Sequence, residues 1–464
     1  KRIQGIFLTH GHDEQMGAIP DMLSELKQVK VYGTPFTLEM LKPQLLEDGL
    51  KLDQLVELKP HRKIKFGKNS VFPISVTHSV PDAVGYVLNT PDGAIVYTGN
   101  FVFDPTMIGP YKTDIGKLAY VGKQGVLCLM SESLYAPRKG YTSPNHRITP
   151  ILSETINKKD GRILCSIFSS NLYRIQEVLN VLMKTDRNVV IVGKRLENTI
   201  MKAIDMKYVK FDKNRIKSIR QVNDENIFVL ISDEREKQFS NMDRIVKGYD
   251  KFVKIKDTDT VVFASPVYEG LEKSATRIFD RIAQIGADLV ILPTKKYLDH
   301  HASSEDLMMM IDLINPKYYM PVIGDYRDQV ENAKVAYAIG MKEENVLLKL
   351  NGQVVTFENG EYIDTNEKVK VDDILVDGKT AGDIGDLVLK DRELLSDNRI
   401  VLVCATLDKA NKKILAGPEI LTRGFVYVKD NIDLIKEAEK ISLAVIEENI
   451  KPNYVDFNKI KNGV

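Results

Sequence analysis

The stretch Leu8-Thr-His-Gly-His-Asp-Glu-Gln-Met-Gly17 decides how the rest of the chain is interpreted. It follows an apolar run that predicts a β-strand ending at Thr9. Since side chains two apart share one face of an extended backbone, His10 and His12 project to the same side and can share one metal ion. The chain then turns into 18–28, predicted as an amphipathic helix whose N-terminal end faces the same cavity. The local order is strand, ligand loop, helix.

Length and composition are typical of a globular protein with several domains. The 464 residues are 43% hydrophobic and 28% charged, and this length predicts roughly two to four structural units. No apolar run approaches the ~18 to 20 residues that span a bilayer, which excludes a membrane protein. Cys128, Cys165 and Cys404 lie far apart in apolar segments and form no CxxC pair. This pattern is typical of reduced core residues in a cytoplasmic protein.

The charge balance does not indicate a strongly basic nucleic-acid-binding domain. With 65 basic and 64 acidic residues the net charge is +1, so a site for a polyanion has to be local. One candidate is a basic segment that contains Lys59, His61, Arg62, Lys63, Lys65 and Lys68. A solvated face is the alternative interpretation of such a run. The chain enters a strand almost directly after Lys1 and has no basic-then-apolar leader, so we expect an N-terminal piece to be missing.

Two further loops carry candidate ligands at the ends of predicted strands. From Val29 to Thr98, short β runs alternate with helix-like stretches and Gly/Pro turns, which indicates an α/β layer architecture. His78 follows one of these runs and Asn100 follows another. Metal ligands and catalytic groups are usually mounted on such strand ends, because the sheet holds them rigidly. A loop histidine whose hydrogen bonds are simply satisfied is the alternative for His78.

A second α/β unit interrupts this pattern between about Tyr141 and Pro293. Its buried runs, predicted as parallel strands with helices between them, are Ile163 to Phe168, Val189 to Val192, Ile227 to Ser232 and Val261 to Ser265. Residues 379–397 are rich in Gly and Asp and are predicted to be a linker. The last unit then begins with a strand from Ile400 to Thr406 and contains an amphipathic helix from Ile432 to Glu448.

The ligand loop resembles the His-x-His-x-Asp-His motif of the metallo-β-lactamase fold. Two positions depart from that motif, because Glu14 replaces the Asp and Gln15 replaces the last His. The resemblance implies one metal held by His10, His12 and His78. An exposed loop without a metal is the alternative for the His-Gly-His pair taken alone.

The same resemblance implies that a second metal site is degraded. Asn100 occupies the position of the Asp that bridges two metals, and a neutral amide cannot offset the repulsion between two cations. Ile323 occupies the position of the last metal-binding His and cannot bind a metal. Glu14 is implied both as a remaining ligand and as the general base, although its extra methylene displaces the carboxylate. The cofactor expected is therefore Zn or Mn, with at most one ion per chain.

Over its whole length the chain resembles the ribonuclease J family of the β-CASP branch. Glu132 matches the acidic residue that this branch places at a strand end. The segment Phe168–Gln176 resembles a ribonuclease J segment, which implies that Asn171 and Arg174 lie near the domain cleft and contact substrate. A plain surface residue is the alternative for Arg174.

A second loop of that family holds the 5′-phosphate end of RNA. The corresponding residues here are Tyr297, Leu298, Asp299, His300 and His301. Only the final His of the family's loop is kept, so His301 is implied as a catalytic residue together with Glu14 and Glu132. The small residues that let backbone N–H groups reach a phosphate are absent, and Asp299 adds a charge that repels it. Surface histidines are the alternative for His300 and His301.

The fold implied is an α/β metallo-β-lactamase αββα sandwich with an inserted β-CASP α/β domain and a small C-terminal α/β domain. The predicted domains are 1–140, the first part of the metallo-β-lactamase domain without its N-terminal strands; 141–292, the β-CASP domain; 293–378, the second metallo-β-lactamase part; 379–398, a linker; and 399–464, an incomplete C-terminal domain.

Because the departures fall on the metal site, the sequence resembles the weakly active branch of the family in Gram-positive bacteria. The resemblance implies a cytoplasmic RNA hydrolase, both endonuclease and 5′→3′ exonuclease, acting in mRNA decay and rRNA maturation. A pseudoenzyme subunit that binds RNA or stabilises an active paralogue is the alternative. A small-molecule metallohydrolase is disfavoured, because the insert and the last unit also match ribonuclease J. The partners expected are RNA and either the active paralogue or a second copy in a homo-dimer.

Overall fold

The computed structural model describes residues 3–143, 147–159, 161–233, 238–265, 267–268, 270–292, 300–371, 376–377, 380–381, 400–408, 410–423, 432–450 and 455–463. The chain divides into two units, Lys1–Lys370 and Val371–Val464. The domain boundary predicted at residue 378 lies inside the second unit. Most of the predicted linker lies outside the described residues.

The strands of the first unit are, in chain order, β1 (Ile6–Phe7), β2 (Val31–Gly33), β3 (Leu55–Glu57), β4 (Ile64–Phe66), β5 (Asn69–Ser75), β6 (Val84–Thr90), β7 (Gly93–Tyr97), β8 (Val126–Glu132), β9 (Ile163–Phe168), β10 (Asn188–Val192), β11 (Ile216–Lys217), β12 (Ile227–Asp233), β13 (Thr260–Phe263), β14 (Asp288–Ile291), β15 (Pro316–Val322), β16 (Thr356–Glu358) and β17 (Glu361–Ile363). Its α-helices are α1 (Asp13–Met16), α2 (Ile19–Glu25), α3 (Pro35–Glu47), α4 (Ile115–Lys123), α5 (Thr149–Lys158), α6 (Leu172–Leu182), α7 (Lys194–Asp205), α8 (Ser240–Val246), α9 (Glu272–Ile285), α10 (Ser304–Ile314) and α11 (Tyr326–Ala338).

Two sheets pack face to face between two layers of helices. A parallel sheet of order β1-β2-β3 lies against a six-stranded sheet of order β15-β8-β7-β6-β5-β4. Phe7 and Tyr86 meet at this interface, with ring centroids 5.6 Å apart. Residues of α2 and α3 share an apolar cluster with the small sheet, and residues of α4, α10 and α11 share one with the large sheet. The predicted αββα sandwich is therefore confirmed.

Several strands of the large sheet run in the same direction and therefore end on the same side of the sandwich. Strands β7, β8 and β15 are parallel neighbours, and β5 runs in the same direction because β6 lies antiparallel between β5 and β7. The small sheet is tied to this side, since Val84 N donates to Thr9 O over 2.9 Å. The loops after β1, β5, β7, β8 and β15 therefore lie together.

The helix predicted for 18–28 is present as α2, but it is shorter, beginning at Ile19 and ending at Glu25. An additional short helix, α1, lies inside the ligand stretch itself. Gly17 separates the two helices, and Pro20 occupies the first turn of α2, where a missing N–H costs no helical hydrogen bond. Strand β1 also ends at Phe7, two residues earlier than predicted, so a loop rather than a strand carries His10 and His12.

The insert contains a six-stranded sheet of order β11-β10-β12-β9-β13-β14, and every pairing in it is parallel. Strands β9, β12 and β13 are buried along their whole length. Continuous apolar runs are what strands covered by helices on both faces require. The prediction of buried parallel strands in this part of the chain is therefore confirmed.

The second unit contains the strands β18 (Val376–Asp377), β19 (Thr380–Ala381), β20 (Ile400–Asp408) and β21 (Lys413–Arg423) and the helices Ile432–Glu448 and Phe457–Gly463. The long helix has the predicted bounds. Cys128 and Cys165 are buried as expected, but Cys404 is exposed, because it lies on the two-stranded ladder β20–β21. No helix among the described residues of either unit is long and apolar enough to cross a membrane.

A buried ion pair in the insert gives a test of this fold. Arg162 and Asp259 are both almost fully buried and joined by two hydrogen bonds of 3.0 and 2.6 Å. We expect Asp259→Ala to lower the free energy of unfolding by about 3–5 kcal/mol, because the guanidinium loses its counter-charge. Denaturant unfolding measures this. The exposed pair Glu154–Lys158 supplies the control, and Glu154→Ala should leave the unfolding curve unchanged.

Candidate metal centre and active site

Three histidines from two loops come together on the side of the sandwich where β1 and β5 end. His10 and His12 follow β1, and His78 follows β5. One nitrogen from each ring can be chosen so that all three lie within 4.8 Å of one another. The ring centroids of His10 and His78 are 4.5 Å apart, and those of His12 and His78 are 4.9 Å apart. This is the three-residue set predicted to hold one metal.

Backbone carbonyl groups fix the tautomers of two of these rings. His12 Nε2 lies 2.9 Å from Ser170 O, and His78 Nδ1 lies 2.8 Å from His300 O. A carbonyl oxygen only accepts, so each of these nitrogens carries the proton and donates it. The other nitrogens, His12 Nδ1 and His78 Nε2, are then unprotonated in the neutral rings, and they face each other at 3.3 Å.

His10 completes the set from a buried position. Its Nδ1 lies 3.0 Å from Thr9 Oγ1. Its buried Nε2 has no hydrogen-bond partner among the described residues. Burial lowers the pKa of His10 and of His78 well below the usual histidine value, and burial also lowers the pKa of His12. All three imidazoles are therefore neutral at neutral pH, which is the form that binds a metal.

The donor set fits a transition metal ion. Two unprotonated nitrogens that face each other at 3.3 Å repel unless a proton or a cation lies between them. In a typical metal site each histidine ring donates from one nitrogen to a protein oxygen and binds the metal through the lone pair of its other nitrogen. His12 and His78 have this arrangement. Three imidazoles suit zinc and other first-row transition metals. The residues present at this site therefore fit one such ion.

A buried carboxylate holds the neighbouring histidine. Glu132 Oε2 lies 2.6 Å from His301 Nδ1, and Glu132 Oε1 accepts from Phe101 N and Ala302 N over 2.7 and 3.2 Å. The carboxylate therefore fixes the proton of His301 on Nδ1 and turns Nε2 away from itself. The ring of His301 lies 5.5 Å from that of His78, so this Glu–His pair lies beside the three-histidine cluster.

The positions predicted to complete a second metal site line the same cleft, which has a volume of about 480 Å³. They are Glu14, Gln15, Asn100 and Ile323. Glu14 is exposed and is not part of the group of possible metal ligands formed by the three histidines. Asn100 is buried, and its Oδ1 has no hydrogen-bond partner in the described part of the chain. Of these four residues, Ile323 alone has a side chain with no atom that can bind a metal.

Ile323 has an unusual backbone conformation. Its φ is 60°, in the left-handed region that β-branched residues avoid. It directly follows β15 and lines the same cleft as Asn100. A residue of this type in this region costs about 1–3 kcal/mol, so the surrounding structure imposes the conformation. Histidine and asparagine adopt the same region more readily.

The predicted substrate-binding residues have mixed locations. Asn171 lines the cleft, and its Oδ1 also caps α6 by accepting from Arg174 N over 3.0 Å. The guanidinium of Arg174 is buried against Glu177 at 3.2 Å, so the alternative of a plain surface residue is excluded. His300 and His301 are likewise buried rather than on the surface. The remaining predicted residues, Tyr297, Leu298 and Asp299, lie outside the described residues.

Sequence reasoning missed residues that the insert contributes to the cleft. Arg195 at the start of α7 forms an ion pair with Asp13 and lines the cleft beside His12. Ser79, which lies outside the insert in the loop after β5, was also missed; its Oγ lies 3.3 Å from His12 Nε2, the atom that donates to Ser170 O. A main-chain acceptor such as Ser170 O has no signature in the sequence. The basic pair Lys194–Arg195 after a predicted strand was the available signal for Arg195.

Three family models match this chain. A Beta-lactamase superfamily domain matches residues 1–115, the Ribonuclease J beta-CASP domain matches residues 160–282, and the Ribonuclease J C-terminal domain matches residues 387–464. The order of these matches along the chain is the order predicted from the sequence.

Curated relatives match over the whole chain. Ribonuclease J2 of Bacillus subtilis is 34% identical over 467 residues, which cover 100% of this chain and 84% of the relative. Ribonuclease J 2 of Staphylococcus epidermidis is 32% identical over 468 residues, with the same coverage. Among solved structures, a protein of unknown function from Enterococcus faecalis is similar in fold, with a TM-score of 0.51 and 16% identity. That similarity covers 77% of this chain and 80% of the other.

The buried carboxylate of Glu132 gives a test of the site geometry. We expect Glu132→Gln to lower the free energy of unfolding by about 1–3 kcal/mol, because one amide oxygen cannot accept from all three donors that the carboxylate serves. Urea denaturation measures this. Glu358→Gln, at the exposed residue of strand β16, is the matched control and should have no measurable effect. Equal stability of the two variants would show that the hydrogen bonds of Glu132 are not needed.

Proposed function

The chain belongs to the ribonuclease J family, and on this premise we propose that it is a cytoplasmic RNA hydrolase, weakly active, whose site is the three-histidine cluster. The supporting observation is the set of three neutral imidazoles with two inner nitrogens facing each other at 3.3 Å, beside the pair Glu132–His301. Both endonucleolytic cleavage and 5′→3′ exonucleolytic digestion, in mRNA decay and rRNA maturation, belong to the proposal.

His10, His12 and His78 would hold Zn²⁺ or Mn²⁺. When bound, such a cation acidifies water and offsets the negative charge that develops on the phosphate. His301 keeps one proton on Nδ1 through Glu132, so its Nε2 is the atom that exchanges a proton with a reacting oxygen. Arg195 faces the cleft, and a guanidinium recognises phosphate oxygens. Asn171 and His300 would position the RNA chain in the same cleft.

The weak activity follows from the residues at the second metal position. Ile323 offers no ligand atom, and Gln15 and Asn100 offer only neutral amide oxygens. A second cation placed there would lack the negative charge that offsets its repulsion from the first. Glu14 is the one remaining carboxylate among these four positions, and it is exposed. We therefore propose one metal per chain and a site that lacks half of a two-metal mechanism.

A non-catalytic role is the second candidate. The same three positions favour a pseudoenzyme subunit that binds RNA or stabilises an active paralogue. In either case we propose that the protein works as a homo-dimer or together with that paralogue. The match of residues 387–464 to the Ribonuclease J C-terminal domain supports the second unit as the element of association.

Hydrolysis of RNA distinguishes the two candidates. We expect the purified protein, with the paralogue absent and Mn²⁺ added, to cut 5′-monophosphorylated RNA slowly. His10→Ala should abolish this cutting, because the cluster loses one of its three ligands. Tyr249→Ala, at an exposed tyrosine outside the cleft, is the control and should cut like the parent. RNA that is bound but never cut would reject the hydrolase and leave the pseudoenzyme.

Rebuilding the second site tests the proposed metal count. Elemental analysis should find at most one transition metal in the parent. The combined change Glu14→Asp, Gln15→His, Asn100→Asp and Ile323→His should raise it to two, whereas Asn100→Asp alone recovers little activity, because residues that act as one unit are non-additive. Ile323→His also suits the backbone, since histidine tolerates a φ of 60° better than isoleucine.

Thermal unfolding supplies a second measure of the same variants. Added metal should raise the melting temperature of the quadruple variant more than that of the parent, because only the folded variant offers a complete second site. Two metals in the parent, or full activity from Asn100→Asp alone, would contradict this account of the second site.

A further inference from the structure

A basic surface lies at the edge of the large sheet, outside the cleft. No Asp or Glu occurs in the sequence between Glu57 and Asp82, although the whole chain carries nearly equal numbers of acidic and basic residues. Within this stretch Lys63, Lys65 and Lys68 are exposed. None of the three lysines forms an ion pair or a side-chain hydrogen bond in the part of the chain that the structure describes. Their charges are therefore available to an external anion.

Strand alternation places two of these lysines on one face. On the edge strand β4, Ile64 and Phe66 pack into the apolar cluster between the two sheets. Lys63 and Lys65 alternate with them and project to the opposite face. Lys65 is paired with Ser70 on β5, so it shares a face with Phe72, which packs towards α4. The lysines of the edge strand and helix α4 therefore lie on the same side of the sheet.

Helix α4 adds aromatic rings and a further cation to this face. Lys117 Nζ lies 6.0 Å from the ring centroid of Phe72 and 5.3 Å from that of Tyr120. Tyr120 is 57% exposed. The ring of His61 stacks on Phe72, with centroids 6.1 Å apart and an interplanar angle of 27°, and its Nε2 lies 3.3 Å from Asp114 Oδ2. Exposed aromatic rings among unpaired lysines are the combination that single-stranded nucleic acids bind.

The far end of this surface, at Lys68, is separated from the three-histidine cluster by the length of one strand. Strand β5 runs from Asn69, beside the turn that carries Lys68, to Ser75, which precedes His78. Seven residues of strand span roughly 20 Å. A ligand confined to the cleft therefore does not reach Lys68, whereas a longer chain that leaves the cleft can.

We propose that Lys63, Lys65, Lys68, Lys117 and Tyr120, the edge surface, bind the backbone and bases of single-stranded RNA outside the cleft, without regard to sequence. This rests on the proposed function only in taking RNA as the ligand. Lysines on an edge strand also protect a sheet from pairing with another copy. That explains Lys63 and Lys65, but it does not explain an exposed tyrosine with a lysine beside its ring on a neighbouring helix.

The test compares two triple variants of the full chain in RNA binding. The first is Lys63→Gln with Lys65→Gln and Lys68→Gln. The matched control, with the same change in charge, is Lys27→Gln with Lys51→Gln and Lys251→Gln, at lysines elsewhere in the first unit. The first variant should bind an oligonucleotide of about 20 nucleotides more weakly, while an oligonucleotide of about 4 nucleotides should bind like the parent. The control should match the parent on both.

Salt dependence and the aromatic residue give independent measures. Each lysine that no longer meets a phosphate should reduce the slope of log affinity against log salt by about 0.7, so the slope for the first variant should fall by roughly 2. Tyr120→Ala should weaken binding of the long oligonucleotide about tenfold, because one base no longer stacks on an aromatic ring. Tyr249→Ala, at a tyrosine that is 78% exposed, should leave it unchanged.

Three outcomes would overturn the proposal. The first is that the first variant binds RNA like the parent but self-associates in size-exclusion chromatography. The lysines would then serve to prevent the edge strand from pairing with another copy. The second is unchanged RNA binding with loss of binding to polyglutamate or to anionic vesicles, which assigns the surface to another polyanion. The third is an equal loss on both lengths of RNA. Binding is measured separately from hydrolysis, so a failure of the proposed catalytic activity leaves this test intact.

Discussion

The cleft depends on one buried carboxylate. Glu132 ends strand β8, which lies between β15 and β7, and its two oxygens accept from the backbone N–H groups of Phe101 and Ala302 and from the ring of His301. Its own carbonyl accepts from the side chain of Asn332 on α11. A buried carboxylate without partners would be strongly unfavourable, so the three donors and the charge hold one another in place. Two loops and a helix from distant parts of the sequence are thereby fixed at one strand end.

The insert is part of the metal centre and not only a cover over it. His12 donates to the carbonyl of Ser170, which belongs to the insert, and this bond leaves Nδ1 of His12 unprotonated. Two ion pairs also join the insert to the preceding part of the chain: Asp13 with Arg195, and Glu39 with Lys202. The tautomer of His12 depends on the position of the insert. A shift of the insert would therefore change which nitrogen of His12 is free to bind a metal, even if His12 itself stayed in place.

Much of this arrangement could be predicted from residue types and spacing. The continuous apolar runs of β9 and β12 required a parallel sheet covered on both faces, and the structure confirms it. The loop positions of His10 and His78 at strand ends also followed from the sequence, whereas their metal-binding roles stay predictions. What was not visible was the part set by the backbone: the carbonyl acceptors, the break between α1 and α2, and the left-handed Ile323. Main-chain groups are the same in every residue, so no sequence pattern marks them.

Two residues at the positions predicted for a second metal site carry local energetic costs in the cleft. Ile323 holds a φ of 60° although a β-branched side chain disfavours it, and the Oδ1 of Asn100 is buried with no partner among the described residues. Both residues carry a conformational or desolvation cost that their own side chains do not offset. The buried network around Glu132 explains why the backbone does not relax, since moving the loop after β7 would break the bond from Phe101 N. The contacts of Glu132 that hold His301 therefore also hold the backbone beside Asn100 in place.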